Sequence, residues 1–316
     1  MRLVRIGLLL AASLGALQAA QAEDLTVALV LGQRGSGFHE AIACGARDKA
    51  KALGVNVNIQ AAPNYAASDQ IPLLNSVLAT KPDAIVLDPT SSEALIAPLK
   101  EAAATGAKIV AVDTTLDDPS MLSAWVGTDN IAVGREAAKA LVALLGDKTG
   151  KVALINSIPG ISTVDDRIKG FEEEIGKHPG LVYIGNQFAT EDVAQAQTAF
   201  TALMSANPDL IGVGALSNNP AMGIAGGIRS AGVADDVVAV GVDADDVEIT
   251  ALREGMLDAL VIQQPFVMGS VGLEQAVNAV RGQPVIASTG TGTVTATRDN
   301  LDTPDVQKYL YVGNCI

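Results

Sequence analysis

TVALVLGQRGSGFHEAIACGARDKAKALGVNVNIQ, residues 26–60, is the stretch that decides the fold. TVALVL is aliphatic without a polar alternation, the pattern of a strand covered on both faces. After a glycine-punctuated loop, FHEAIACGARDKAKALG places apolar residues three and four apart, as one face of a helix requires. Ser36 stands where an N-cap belongs and Gly54 where a left-handed C-terminal residue belongs. VNVNIQ (55–60) is then a second strand. Two strands joined through a helix make a parallel βαβ unit.

The unit repeats outward along the chain. Further runs are AIVLD (84–88), KIVAVD (108–113), KVALIN (151–156), LVYIGN (181–186), LIGVGAL (210–216), VVAVGVD (237–243) and ALVIQQ (259–264). Helical patterns such as NIAVGREAAKALVALLG separate them, with Ser68, Ser92 and Asn130 as further expected N-caps and Gly106, Gly146 and Gly232 as C-terminal caps. Strands alternating with helices predict an α/β fold with parallel sheets. The chain also reads as two similar halves. KPDAIVLD (81–88) answers NPDLIGVGAL (207–216), and each half reaches a strand ending in aspartate, Asp113 and Asp243. Each half is the size of one doubly wound lobe, and VGTDN (126–130) marks a crossover between them.

The first 22 residues have a basic head (Arg2, Arg5), an uncharged apolar stretch from Ile6 to Leu17 and a small-residue Ala20-Gln21-Ala22 ending. That is the anatomy of a signal peptide cleaved after Ala22. Its apolar stretch is well short of the ~20 residues a spanning helix needs. Removing Arg2 and Arg5 leaves 19 basic residues (21 − 2) against 35 acidic ones, a formal charge of −16. That charge argues against nucleic acid and anionic lipid as partners. Cys44 and Cys315 are the only cysteines. In an oxidising compartment they can form one bridge, the alternative being two separate thiols. With His39 and His178 the only histidines, a multi-histidine metal site is excluded and no cofactor is expected.

In open parallel sheets ligands bind beyond the carboxyl ends of the strands. Gly32, Gly35 and Gly37 follow the first strand but do not match G-x-G-x-x-G, so nucleotide binding is weakly supported. Asp113 and Asp243 end equivalent strands. Arg167 follows STVDD on a helix pattern, Gln263 ends a strand before Pro265, and Phe38 and His39 open the first helix. Carboxylates, a guanidinium, an amide and an aromatic face suit a polyhydroxylated ligand. No nucleophile–base–orienter set is present, so an enzyme is not expected.

At these residues the chain resembles the type I periplasmic sugar-binding proteins of ABC transporters, nearest to the ribose-binding members. The likeness is carried by residues 28–54, VAVD (110–113), VGTDN (126–130), DDRIKGF (165–171), NPD (207–209), VAVGVDAD (238–245) and VIQQP (261–265) in that order. The resemblance implies a monomer of two Rossmann-like lobes on a three-crossing hinge. The N-terminal lobe would span 23–128 plus about 265–289, and the C-terminal lobe 129–264 plus about 290–316. The tail after about Asn300 extends beyond the last family-like strand; its apolar Val306, Tyr309, Leu310 and Val312 need a surface to dock on, for which the first helix of the N-terminal lobe is a candidate. The resemblance also implies capture of a small sugar or polyol and delivery to an ABC permease, a sensory role for a small signal molecule being the alternative. Carried over position by position, Phe38 falls on a stacking aromatic, Asp113 and Asp243 on hydroxyl-binding aspartates, Arg167 on an oxygen-reading arginine and Gln263 on the crossover glutamine. The chain departs from the pattern elsewhere. Ser36 replaces an asparagine, His39 the second stacking aromatic, and Thr114 an arginine. Glu191 replaces an opposing-lobe aromatic for which Phe188 is an alternative, and Ser217, beside Asn218, replaces an asparagine. These departures imply a less aromatic, more acidic pocket.

Overall fold

A computed structural model of the chain describes residues 25–190 and 192–311. The expected signal peptide, Glu191 and Cys315 lie outside these described residues. The chain begins β1 (Thr26–Leu31), α1 (Gly37–Leu53), β2 (Asn56–Ala61), α2 (Ala67–Leu78), β3 (Ala84–Leu87), α3 (Ile96–Ala104), β4 (Lys108–Val112) and β5 (Ala124–Thr128). It continues α4 (Asn130–Leu145), β6 (Gly150–Asn156), α5 (Ser162–Ile175), β7 (Leu181–Phe188), α6 (Val193–Ala206), β8 (Leu210–Gly214), α7 (Asn218–Ala231), β9 (Val238–Val242), α8 (Asp246–Arg253) and β10 (Ala259–Ile262). It closes with α9 (Pro265–Val280), β11 (Ser288–Thr291), β12 (Val294–Thr297) and α10 (Pro304–Gln307).

Two six-stranded sheets result, ordered β11-β5-β4-β3-β1-β2 and β12-β10-β9-β8-β6-β7. Every pairing is parallel except β10 with β12. The aliphatic runs are central because both their faces are buried: Val27 to Leu31 and Ala84 to Leu87 are all at most 2% exposed. Burying such side chains is worth about 1.5–3 kcal/mol each. In both sheets the first strand sends the chain to one side and then back past itself to the other. That creates the switch point beyond the strand ends where ligands bind.

The chain passes between the sheets at β5 to α4, β10 to α9 and β11 to β12. Neither β5, β11 nor β12 stands out among the aliphatic runs, because all three are short and lie next to a crossing. Both lobes contain helices packed in backbone contact through glycines. A Cβ on Gly45 of α1 would strike the Phe266 carbonyl of α9, and one on Gly269 the Ile42 carbonyl. In the other lobe Gly134 of α4 meets the Arg167 carbonyl of α5, and Gly170 meets that of Ile131.

Several expected caps are displaced, for local reasons. Asp129 rather than Asn130 caps α4, its carboxylate accepting from Ala132 N at 3.0 Å, which frees the Asn130 side chain for Arg167. Ser92 precedes the cap position of α3, Leu95. Its hydroxyl accepts instead from Ser162 N, at 3.1 Å across the lobes. Ser68 lies inside the first turn of α2, and Gly106 lies one residue beyond the C-cap Thr105. Gly54, Gly146 and Gly232 do close their helices with positive φ.

Candidate functional site

The carboxyl ends of β4 and β9 carry the two aspartates. Both have left-handed backbones, φ 57° at Asp113 and 95° at Asp243, a conformation costing roughly 1–3 kcal/mol outside glycine. Their amides are held by the neighbouring strands, Asp113 N donating to Val126 O and Asp243 N to Val261 O. Matched strain at matched strand ends turns both carboxylates into the space between the lobes, where both line one cleft. Burial, then Asp88 and Asp243 nearby, push the Asp113 carboxyl up from 3.8 to about 7, against the opposing pull of Arg167 and His39. Asp113 Oδ1 has no hydrogen-bond partner among the described residues.

Arg167 faces Asp113 across the cleft at 4.0 Å. Its Nε donates to Asn130 Oδ1 and its Nη1 to Leu216 O, both at 2.8 Å. The guanidinium is therefore fixed before any ligand arrives. The glycine-tight seat of α5 on α4 sets where this side chain begins.

On the N-terminal lobe Phe38 and His39 lie in the first turn of α1, ring centroids 5.6 Å apart. His39 Nε2 is 2.8 Å from Asp88 Oδ2, and both side chains are buried. His39 therefore works as a polar, carboxylate-oriented ring here as much as an aromatic face. Ser36 lines the cleft at the N-cap of α1 without a side-chain cap bond. Thr114 is buried behind Asp113, 3.4 Å from both Asp113 Oδ2 and the Tyr65 hydroxyl, and supports the wall rather than lining it.

On the C-terminal lobe Ser217 lines the cleft with a buried Oγ that has no hydrogen-bond partner among the described residues. Asn156 holds that strand end, its Oδ1 accepting from Leu216 N at 2.7 Å. Asn218 donates to Asp245 Oδ2 and Glu248 Oε2 at 2.8 and 2.7 Å. Burial, with Asp243 and Asp245 beside it, raises the Glu248 carboxyl well above its ordinary range. At the hinge Gln263 accepts from Thr128 Oγ1 at 2.8 Å and donates to Asp243 Oδ1 at 2.9 Å. Thr128 Oγ1 also lies 3.0 Å from Thr291 Oγ1. One residue from each crossing thus joins a chain of hydrogen bonds that ends on a cleft aspartate.

Nine expected residues, Ser36, Phe38, His39, Asp113, Arg167, Ser217, Asn218, Asp243 and Gln263, line one cleft. Glu191 lies outside the described residues, and Phe188 is 48% exposed and does not line the cleft. The sequence reading missed Gln33, Tyr65, Asn219 and Thr163, which also line it, and Asp88 behind His39. Asp88 had a signal: AIVLD ends in aspartate as the β4 and β9 runs do. Tyr65 had one too, an aromatic following a strand in a chain with 3% aromatics. Among the described residues no group of three or more His, Cys, Asp or Glu is arranged to hold a metal, and no helix is long and apolar enough to cross a membrane.

Residues 27–284 match the family described as periplasmic binding protein domain. The D-allose-binding periplasmic protein of Escherichia coli is 29% identical over 249 residues, 77% of this chain and 80% of that one. Among solved structures, an ABC transporter solute-binding protein from Agrobacterium vitis bound with α-D-tagatopyranose is 33% identical at a TM-score of 0.89, covering 91% of this chain and 99% of that one. A carbohydrate transporter solute-binding protein from Agrobacterium radiobacter in complex with D-arabinose is 30% identical at 0.86, covering 92% and 99%.

Proposed function

Because the chain belongs to the periplasmic binding protein domain family, we propose that it captures a small sugar or polyol between its lobes and delivers it to an ABC import permease. The observation that carries this reading is the facing set Asp113, Arg167 and Asp243, gathered from both lobes into one cleft. Carboxylates accept from vicinal hydroxyls, and a pre-set guanidinium donates a planar fork to ring or hydroxyl oxygens. Relatives that hold tagatose and arabinose support the same ligand class.

The mechanism is a two-state closure. A sugar bonded to both lobes makes contacts that only the closed state offers, so it shifts the equilibrium by that difference in affinity. Direct contacts between the lobes add to it: Thr115 N donates to Ser162 Oγ at 3.2 Å and Ser162 N to Ser92 Oγ at 3.1 Å. The moving bodies are 23–128 with about 265–289, and 129–264 with about 290–316, the tail returning to the first body. The protein works as a monomeric binder without catalysis, exported by cleavage after Ala22 and bridged between Cys44 and Cys315.

A thermal-shift screen of pentoses, hexoses and polyols tests the reading. A ligand at 100 times its Kd stabilises the fold by about 2.7 kcal/mol, a shift of several degrees for a chain of this size. No shift with any member would count against a sugar or polyol ligand.

A further inference from the structure

The C-terminal tail does more than end the chain. After α10 it leaves the C-terminal lobe and lies against α1 and the start of α9, where Tyr309, Leu310 and Tyr311 share a cavity wall with Ala41 and Pro265. Tyr311 is 4% exposed. Its ring meets the edge of Phe38 at 5.9 Å between centroids. Its hydroxyl donates to Asp243 Oδ1 at 2.7 Å. One tail residue therefore touches a cleft aromatic of one lobe and a cleft carboxylate of the other.

The bond pattern on Asp243 gives this contact a consequence. Tyr311 and Gln263 both donate to Oδ1, from the tail and from the hinge. That leaves Oδ2 as the acceptor available to a ligand hydroxyl. The backbone that carries the carboxylate is also strained, at φ 95°. A single donor would fix its position along one direction only, and two donors from different segments fix its rotation. Burial and the Asp243 charge hold the Tyr311 phenol well above its ordinary value, so it remains a donor across the biological pH range.

We propose that Tyr311 is a positioning residue for ligand binding: the tail returns it to the cleft to orient Asp243, completing the hydrogen-bonded chain that runs from the three crossings. The proposal rests on the reading of Asp243 as a sugar ligand. It makes the tail a fourth tie between the lobes, engaged through the same carboxylate that meets the sugar.

The test compares wild type, Tyr311→Phe and the control Tyr309→Phe by calorimetric titration with D-arabinose, D-tagatose and D-allose. Phenylalanine keeps the ring against Phe38 and removes only the hydroxyl. The expected result is at least a tenfold loss of affinity in Tyr311→Phe with its melting temperature within a degree or two of wild type, and no loss in Tyr309→Phe. Affinity within twofold of wild type would overturn the proposal, even if stability fell. If none of the three sugars binds the wild type, the sugar reading is what suffers. The tail contact is then decided without ligand, by a double-mutant cycle of Tyr311→Phe with Asp243→Ala, each of which removes one partner of the bond, in urea unfolding. Coupling of fivefold or more in the folding equilibrium supports the orienting bond, and additive effects refute it.

Discussion

Replacing Asp113 by asparagine should make the sugar-free protein more stable at pH 8 while weakening its grip on sugar. The wild-type carboxyl is buried between Asp88, Asp243 and Arg167, and its pKa stands at about 7 instead of 3.8. A raised folded-state value means that the native protein holds the proton more tightly than the unfolded chain does. The group's contribution is thus fully present below pH 4 and lost as pH rises through about 7. Three units correspond to about 4 kcal/mol at pH 8, and between about 1 and 2 kcal/mol is already lost at pH 5. Asparagine keeps the shape, tolerates the left-handed backbone and never ionises. Lobe opening rehydrates the carboxylate, so 4 kcal/mol is a ceiling. Urea unfolding of both proteins at pH 5 and pH 8 measures the effect. Asp113→Asn should gain on wild type by about 1 kcal/mol or more between the two pH values. A difference independent of pH, or one that falls as pH rises, would refute the burial argument.

Three other outcomes follow from the same geometry. Gly170→Ala should cost about 1–3 kcal/mol of stability by forcing α5 off the Ile131 carbonyl, and should weaken sugar binding because α5 carries Arg167; unchanged melting and affinity would show the helix contact to be slack. Sugar should reduce the radius of gyration in small-angle scattering, and no change in a protein shown to be open without ligand would contradict hinge closure. Thiol counting in denatured, unreduced protein purified from the periplasm should find no free thiol, and two free thiols would exclude the Cys44–Cys315 bridge.

The doubly wound architecture was legible because strands buried on both faces need aliphatic side chains throughout, as Val27–Leu31 and Ala84–Leu87 have. Crossing strands carry less of that signal. β11 is Ser-Thr-Gly-Thr at the sheet edge, half exposed and too short to show a period. Asp113 and Asp243 could be found because the strand ends define the cleft. Asp88 obeys the same rule and so was legible as a cleft residue, whereas its pairing with His39 comes from the fold alone. Tyr311 could not be read from local pattern. Its partner Asp243 lies 68 residues earlier, and only the three-dimensional return of the tail joins them. Caps failed where a polar side chain had a tertiary use, as Asn130 has with Arg167.

Calorimetric titration of the most stabilising sugar from the screen into wild type, Asp113→Ala and Asp243→Ala tests the central claim most directly, since it asks whether one ligand engages both lobes through these two carboxylates. Removing either acceptor leaves hydroxyls and donors unpaired in a closed cleft, at a cost of roughly 1–3 kcal/mol or more. The account predicts one-to-one binding by wild type and no measurable binding by either folded variant. Near-wild-type affinity in both would contradict it.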